Sequence, residues 1–194
     1  MKYRLLLISL LLCGIDSFSQ NKKISLEVSY PLTIDNNFIG GRSEGVVDLG
    51  VKYRIKDFKI VNLGIGINGG LLVDDTDKGN YPQDFERTIY TIQPKIFSEL
   101  NLSQLTKLHL FVNIGYSFMK MKLTNVNNTG PVDFSKLSDT LRGINAGLGV
   151  SYDILPRFFL QAQYDFSKLN SGNSPDIDYN TNVNLLKMGI GIRF

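Results

Sequence analysis

The chain has 194 residues, with 21 Lys and Arg against 18 Asp and Glu, one His and one Cys. A net charge of +3 without a basic tract gives no reason to expect nucleic acid as a partner, and a single cysteine excludes a disulfide framework. Mean hydropathy near zero fits a soluble globule, but it fits a barrel in lipid equally well, because alternate residues of each strand then line a polar lumen.

The N-terminus predicts an export signal over residues 1–19. Lys2 and Arg4 precede an apolar run from Leu5 to Leu12, followed by a small-residue exit at Ser17-Phe18-Ser19. The run is too short to span a bilayer as a helix, which takes roughly 20 apolar residues. Leu12 is bulky where a lipidation signal before Cys13 places a small residue. Removal of the signal leaves a domain over 20–194 with no cysteine, and therefore no thiol nucleophile or zinc-thiolate site.

From there the dominant pattern is period-two alternation, repeated about eight times. The first segment sets Ile24, Leu26, Val28 and Tyr30 against Ser25, Glu27 and Ser29, and a long connection runs from Pro31 to Gly45. The second sets Val47, Leu49, Val51, Tyr53 and Ile55 against Asp48, Gly50, Lys52 and Arg54, and turns at Lys56-Asp57. The third places Val61, Leu63, Ile65 and Ile67 opposite Asn62, Gly64, Gly66 and Asn68, before a long connection from Val73 to Arg87. In the fourth, Tyr90, Ile92, Pro94, Ile96 and Leu100 oppose Thr91, Gln93, Lys95, Phe97 and Glu99, and a modest turn covers Asn101 to Thr106.

The fifth segment alternates Leu108, Leu110, Val112, Ile114, Tyr116 and Phe118 with His109, Phe111, Asn113, Gly115 and Ser117, then leaves a long connection from Thr124 to Thr140. The sixth, Ile144 to Ile154, has glycine, Asn145, Ser151 and Asp153 on its polar face and turns at Leu155-Pro156. The seventh sets Phe158, Leu160, Ala162, Tyr164 and Phe166 against Phe159, Gln161, Gln163, Asp165 and Ser167, with a fourth long connection from Leu169 to Thr181. The last ends the chain with Leu186, Met188, Ile190, Ile192 and Phe194 on one face and Lys187, Gly189, Gly191 and Arg193 on the other.

Long and short connections alternate, as they do in transmembrane barrels with short turns on the periplasmic rim and long external loops. The sequence therefore predicts an all-β fold: an eight-stranded antiparallel up-and-down transmembrane barrel, apolar outside, with both termini periplasmic. Five inward cations (Lys52, Arg54, Lys95, Lys187, Arg193) match five inward acids (Glu27, Asp48, Glu99, Asp153, Asp165). Side chains can fill a barrel of this size, so the balance predicts a lumen plugged by a charge network, with the inward glycines making room for it. Outward aromatics form two girdles: Tyr30, Tyr90, Tyr116, Phe118, Tyr164 and Phe166 at one rim, and Tyr53, Tyr152, Phe158 and Phe194 at the other.

The C-terminal residues Lys187, Gly189, Ile192 and Phe194 resemble the assembly signal of outer-membrane barrels, which implies the barrel-assembly machinery as a partner. Ile92-Gln93-Pro94-Lys95-Ile96, with the Ser19-Gln20 exit, resembles the outer-membrane β-barrel domain family that includes the PorT-like proteins. The architecture is similar, more distantly, to OmpX and the membrane domain of OmpA. The resemblance implies fold and location, and allows a role in assembly of envelope machinery with a protein partner it does not identify.

Single motifs weigh less. Pro94 lacks a ladder N–H, and a bulge is expected there. Gly64-Ile65-Gly66-Ile67-Asn68-Gly69 has dinucleotide-fingerprint spacing, but no amphipathic helix follows, so these read as strand glycines. His109, the sole histidine, falls at the periplasmic rim, away from the outer leaflet where a lipid-A-modifying enzyme needs its base. No catalytic residue, metal or cofactor is expected. Asp74, Asp75, Asp77, Asp84 and Glu86 lack calcium-loop spacing and read as solvated charge. Lys120, Lys122, Arg142 and Lys168 share outward parity near the long-connection rim, where they can pair with lipopolysaccharide phosphates or snorkel to the water boundary. A structural or recognition barrel leads; a narrow solute channel, a lipid-A enzyme and a soluble ligand-binding barrel are the alternatives.

Overall fold

A computed structural model describes residues 22–74, 85–102, 104–125, 138–170 and 177–194. The expected signal over 1–19, and the acidic positions Asp75, Asp77 and Asp84, lie outside the described residues. Eight strands follow in order: β1 (Ile24–Thr33), β2 (Ser43–Asp57), β3 (Val61–Asp74), β4 (Phe85–Asn101), β5 (Leu108–Asn125), β6 (Ser138–Asp153), β7 (Phe158–Asn170) and β8 (Asn182–Arg193). One short helix, α1 (Asp178–Thr181), precedes β8. Each strand pairs antiparallel with its chain neighbour, and β1 closes on β8 from Ser25↔Arg193 to Thr33↔Leu185. Ile24 and Phe194 lock the seam with reciprocal backbone hydrogen bonds of 3.1 and 2.8 Å.

Period-two sequence becomes a two-faced wall because successive side chains of a strand point to opposite sides. Leu49, Val51, Ile65, Ile96, Val112, Ile114, Leu148 and Ile190 are exposed on the outside, while Glu27, Asp48, Lys52, Lys95 and Lys187 are buried within. Closure leaves no free edge, so every strand finds ladder partners on both sides, as a bilayer interior demands.

Several expectations need correction. The strands run further than the alternation suggested, and the first long connection shrinks to residues 34–42 because Pro31 stays within β1. Pro94 causes no bulge: Ile92↔Phe118 and Lys95↔Gly115 are in the same register, and pairing to β3 continues through Ile67↔Pro94. The missing N–H skips ladder contacts toward β5 without adding a residue. The register shifts fall in β2 instead, between Gly45 and Val47 and between Arg54 and Lys56, which turns Val46 outward. Phe194 keeps outward parity but is only 9% exposed, so the terminal residue is drawn onto the closing seam by its bonds to Ile24 and does not join an exposed girdle. Asp74 is not solvated: its carboxylate accepts from Arg42 Nε at 2.9 Å and from Arg87 Nε at 3.1 Å.

Inward glycines serve two kinds of neighbour. Gly50 and Gly147 adjoin the polar groups of Glu27, Asn68, Asn113 and Asp165, as expected. Gly64, Gly149 and Gly191 instead lie under the rings of Phe97, Phe111 and Phe159, each directly across from its glycine on the neighbouring strand. A Cβ at Gly149 would sit 2.4 Å from the Phe111 ring and 2.7 Å from the Ala162 carbonyl oxygen. Gly149→Val should therefore cost about 1–3 kcal/mol, read as a lower midpoint for unfolding in urea, with part of the loss recovered when Phe111 is also cut to Ala.

Candidate functional site: a lumen in three tiers

The lumen divides into three tiers along the barrel axis. At the end carrying the termini and short turns, Arg54 holds Glu99 through two guanidinium bonds of 2.9 and 3.0 Å and also donates to Ser25 Oγ at 2.8 Å. Arg193 pairs with Asp153 and lies 4.3 Å from the Phe159 ring centroid. His109 is bonded on both nitrogens, by Asn101 Oδ1 at 2.8 Å and Asp153 at 3.1 Å. With both ring nitrogens engaged and, among the described residues, no hydroxyl bonded to it, this histidine has the geometry of a structural bridge. These groups floor a recess of about 910 Å³ that opens at the short-turn end.

The middle tier is a chain of charges in register across the barrel. Lys187 donates to Asp48 at 2.8 Å and Gln93 at 3.0 Å, and lies 2.9 Å from Asp165. Lys52 pairs with Glu27 at 2.8 Å while its ammonium sits 4.0 Å from the Phe111 centroid. Lys95 stands 3.9 Å from Asp165. All ten charges singled out from the sequence face the interior, and all ten are paired there. Amide and hydroxyl side chains extend the network: Gln161 donates to Ser29 Oγ at 3.0 Å, and Asn68 to Asp48 at 2.6 Å.

The third tier departs from the sequence expectation of a polar interior. Leu72, Ile89, Met119, Leu141, Leu169, Val183 and Leu185 point inward and are buried around Ile39, with Phe38 and Met121 packed against them. Ile39 arrives from the connection 34–42, which folds into the barrel mouth as a cork. Asn37 shapes it: its Oδ1 accepts the Ile39 and Gly40 N–H groups at 2.9 and 2.8 Å, and its Nδ2 donates to the Asn182 carbonyl at 2.6 Å. Arg87 clamps it by donating to the Phe38 carbonyl at 2.9 Å and Ser43 Oγ at 2.8 Å.

On β5, β6 and β7 the alternation inverts at this level, while Leu32, Ile34 and Val46 keep apolar side chains outward on β1, the connection after it and β2. Outward Lys120 and Lys122 flank inward Met119 and Met121; outward Arg142 follows inward Leu141, and outward Lys168 precedes inward Leu169. Polar outside and apolar inside is the pattern of a barrel wall standing in water, and β5, β6 and β7 carry it at this rim. The four cations lie on three neighbouring strands. Lys120 faces Thr140 and Lys168 faces Ile144, which makes Arg142 diagonal to both, roughly 7–8 Å away by sheet geometry. Lys122 lies 5.6 Å from the Tyr90 ring centroid, and Lys168 is 4.0 Å from the exposed Asp178.

The proposed assembly-signal residues form the outer and inner faces of the last strand. Gly189 and Lys187 face in, Ile192 is half-buried on the outer face, and Phe194 closes the seam. The glycine fingerprint spacing resolves into β3, with Gly64 and Gly66 inward and Gly69 outward. Among the described residues no cluster of His, Cys, Asp and Glu is arranged to hold a metal.

No curated protein sequence matches the chain. Among solved structures, Ail of Yersinia pestis, in complex with the heparin analogue sucrose octasulfate, superimposes with a TM-score of 0.58 at 14% identity, over 89% of this chain and 97% of that one. Neisserial surface protein A gives 0.59 at 13% identity, over 88% and 96%. OprG of Pseudomonas aeruginosa gives 0.51 at 7% identity, over 89% and 95%. These likenesses concern the fold. The model of the outer membrane protein beta-barrel domain matches residues 5–194. The chain belongs to that family and is a transmembrane β-barrel of the outer membrane.

Proposed function

We propose that this protein is a non-enzymatic, closed barrel that acts through its external surface, with residues 1–19 removed on export and both termini in the periplasm. One observation carries the reading: the lumen is obstructed twice, by paired charges in the middle tier and by the apolar tier around Ile39. Neither tier resembles a solute path, because the first is sealed by ion pairs and the second repels water. Reconstituted in planar bilayers, the mature chain should show no steady single-channel conductance. Stable openings in unmodified protein would contradict it.

The external surface supplies one ligand chemistry. Lys120, Lys122, Arg142 and Lys168 lie where the wall emerges from lipid, the height at which lipopolysaccharide carries its phosphates. Charge-assisted bonds to those phosphates suit a belt of this geometry. Changing all four to Gln should abolish the gain in thermal stability on moving from phospholipid to lipopolysaccharide-containing vesicles. It should leave stability in phospholipid alone within about 0.5 kcal/mol. An undiminished gain would assign the belt to simple snorkelling. The last strand, ending in Ile192 and Phe194, is the segment offered to the barrel-assembly machinery, and the external connections are the surface offered to an envelope protein partner.

A further inference from the structure

The short-turn rim is unlike the opposite one in its charge. Lys22, Lys23, Lys56, Lys59 and Lys107 are all exposed there, and Asp57 is the one exposed acid among the described residues of that rim. Asp57 is already engaged, since its carboxylate accepts the Lys59 N–H at 2.7 Å in a turn where Lys59 takes a left-handed φ of 70°. Lys22, Lys23 and Lys59 stand around the mouth of the 910 Å³ recess, a volume in the range of small-ligand sites.

We propose that this recess binds an acidic peptide or peptide-like chain, held by its carboxylates at the lysine rim and by its backbone at the floor. Three observations favour a peptide over a compact phosphate. The floor is charge-balanced, Glu99 and Asp153 being matched by Arg54 and Arg193, so it offers no net attraction to a dense anion seated deep in the recess. Beside them, half-buried Asn101 and exposed Thr106 line the recess with an amide and a hydroxyl, a set of donors and acceptors that an amide backbone satisfies. The wall also presents Ile55, Ile60 and Leu102, apolar surface that suits side chains spaced along a chain. In the orientation proposed above the ligand is periplasmic; the binding itself does not depend on that orientation.

The test uses the mature chain in phosphatidylcholine nanodiscs and follows backbone amide resonances during titration with hexaglutamate, hexaglutamine and tripolyphosphate. Hexaglutamate should give saturable shifts concentrated at Lys59, Asn62, Asn101 and Thr106, and hexaglutamine should bind at least about tenfold more weakly. The Lys23→Gln/Lys59→Gln variant should lose about tenfold in affinity with its fold intact, as both side chains are exposed. Equal binding of the neutral peptide, tighter binding of tripolyphosphate, or shifts scattered over all lysines without saturation would each overturn the proposal. So would loss of peptide binding on exchange into phosphatidylglycerol discs, which would assign the rim to lipid headgroups.

Discussion

Lys187→Met should destabilise the barrel by about 3–5 kcal/mol, because it strands two carboxylates that now share one ammonium. Lys187 is 2% exposed and lies within 2.9 Å of both Asp48 and Asp165. Met keeps much of the volume, so the loss is electrostatic. Lys95, at 3.9 Å from Asp165, relieves part of it. The triple variant Lys187→Met/Asp48→Asn/Asp165→Asn should recover most of the stability, since removing a whole buried ionic group is far less costly than halving it. The outward Lys120→Met should shift it by no more than about 0.5 kcal/mol. The chain has no tryptophan, so unfolding in urea is followed by the difference in electrophoretic mobility between folded and heated protein.

Ile39→Asp should release the cork while leaving the barrel closed. Burial of Ile39 contributes about 1.5–3 kcal/mol. The bonds from Asn37 to Asn182, from Phe38 to Tyr179 and from Arg87 to Phe38 each add about 0.5–1.5 kcal/mol. A carboxylate among Leu72, Ile89 and Leu169 turns the largest gain into a penalty of several kcal/mol. The segment avoids that penalty by swinging out, a local opening that caps the global cost. Trypsin should then cut after Arg42 many times faster than in the parent, with heat-dependent mobility unchanged. Ile39→Val should cost only about 0.5–1.5 kcal/mol and stay protected. Equal protection of Ile39→Asp would mean that the apolar tier does not hold the connection.

The wall and its charged middle were legible because both obey one rule, apolar outward and polar inward, from Ile24 to Tyr30 and from Leu108 to Phe118. Lys95, Glu99 and Lys187 could be placed by parity alone. The apolar tier was missed because the rule reverses there. Met119-Lys120-Met121-Lys122 alternates as strictly as the segment before it, but with the charges on the outer face, so the strands read as ending near Phe118 and Ile144. Continuing the parity of β3 to Leu72, of β4 back to Ile89 and of β7 on to Leu169 was the signal that would have found it. Ile39 carried no such signal: it sits in a connection, and only the fold of Asn37 and the reach of Arg87 bring it to the centre. The ion pairs themselves span up to 139 positions, as for Lys187 and Asp48, and follow from registers around the closed sheet.

The most direct test of the central claim is a nitroxide scan along β5 from His109 to Lys122 in lipid vesicles, comparing accessibility to oxygen and to a water-soluble nickel chelate. Labels at positions 110, 112, 114, 116 and 118 should be oxygen-accessible and chelate-shielded, with intervening sites protected from both, and from position 120 onward the outward labels should switch to chelate-accessible. An opposite phase, with 110, 112 and 114 protected and 111 and 113 open to lipid, or no alternation at all, would contradict a barrel that faces acyl chains with its apolar side and encloses its charges.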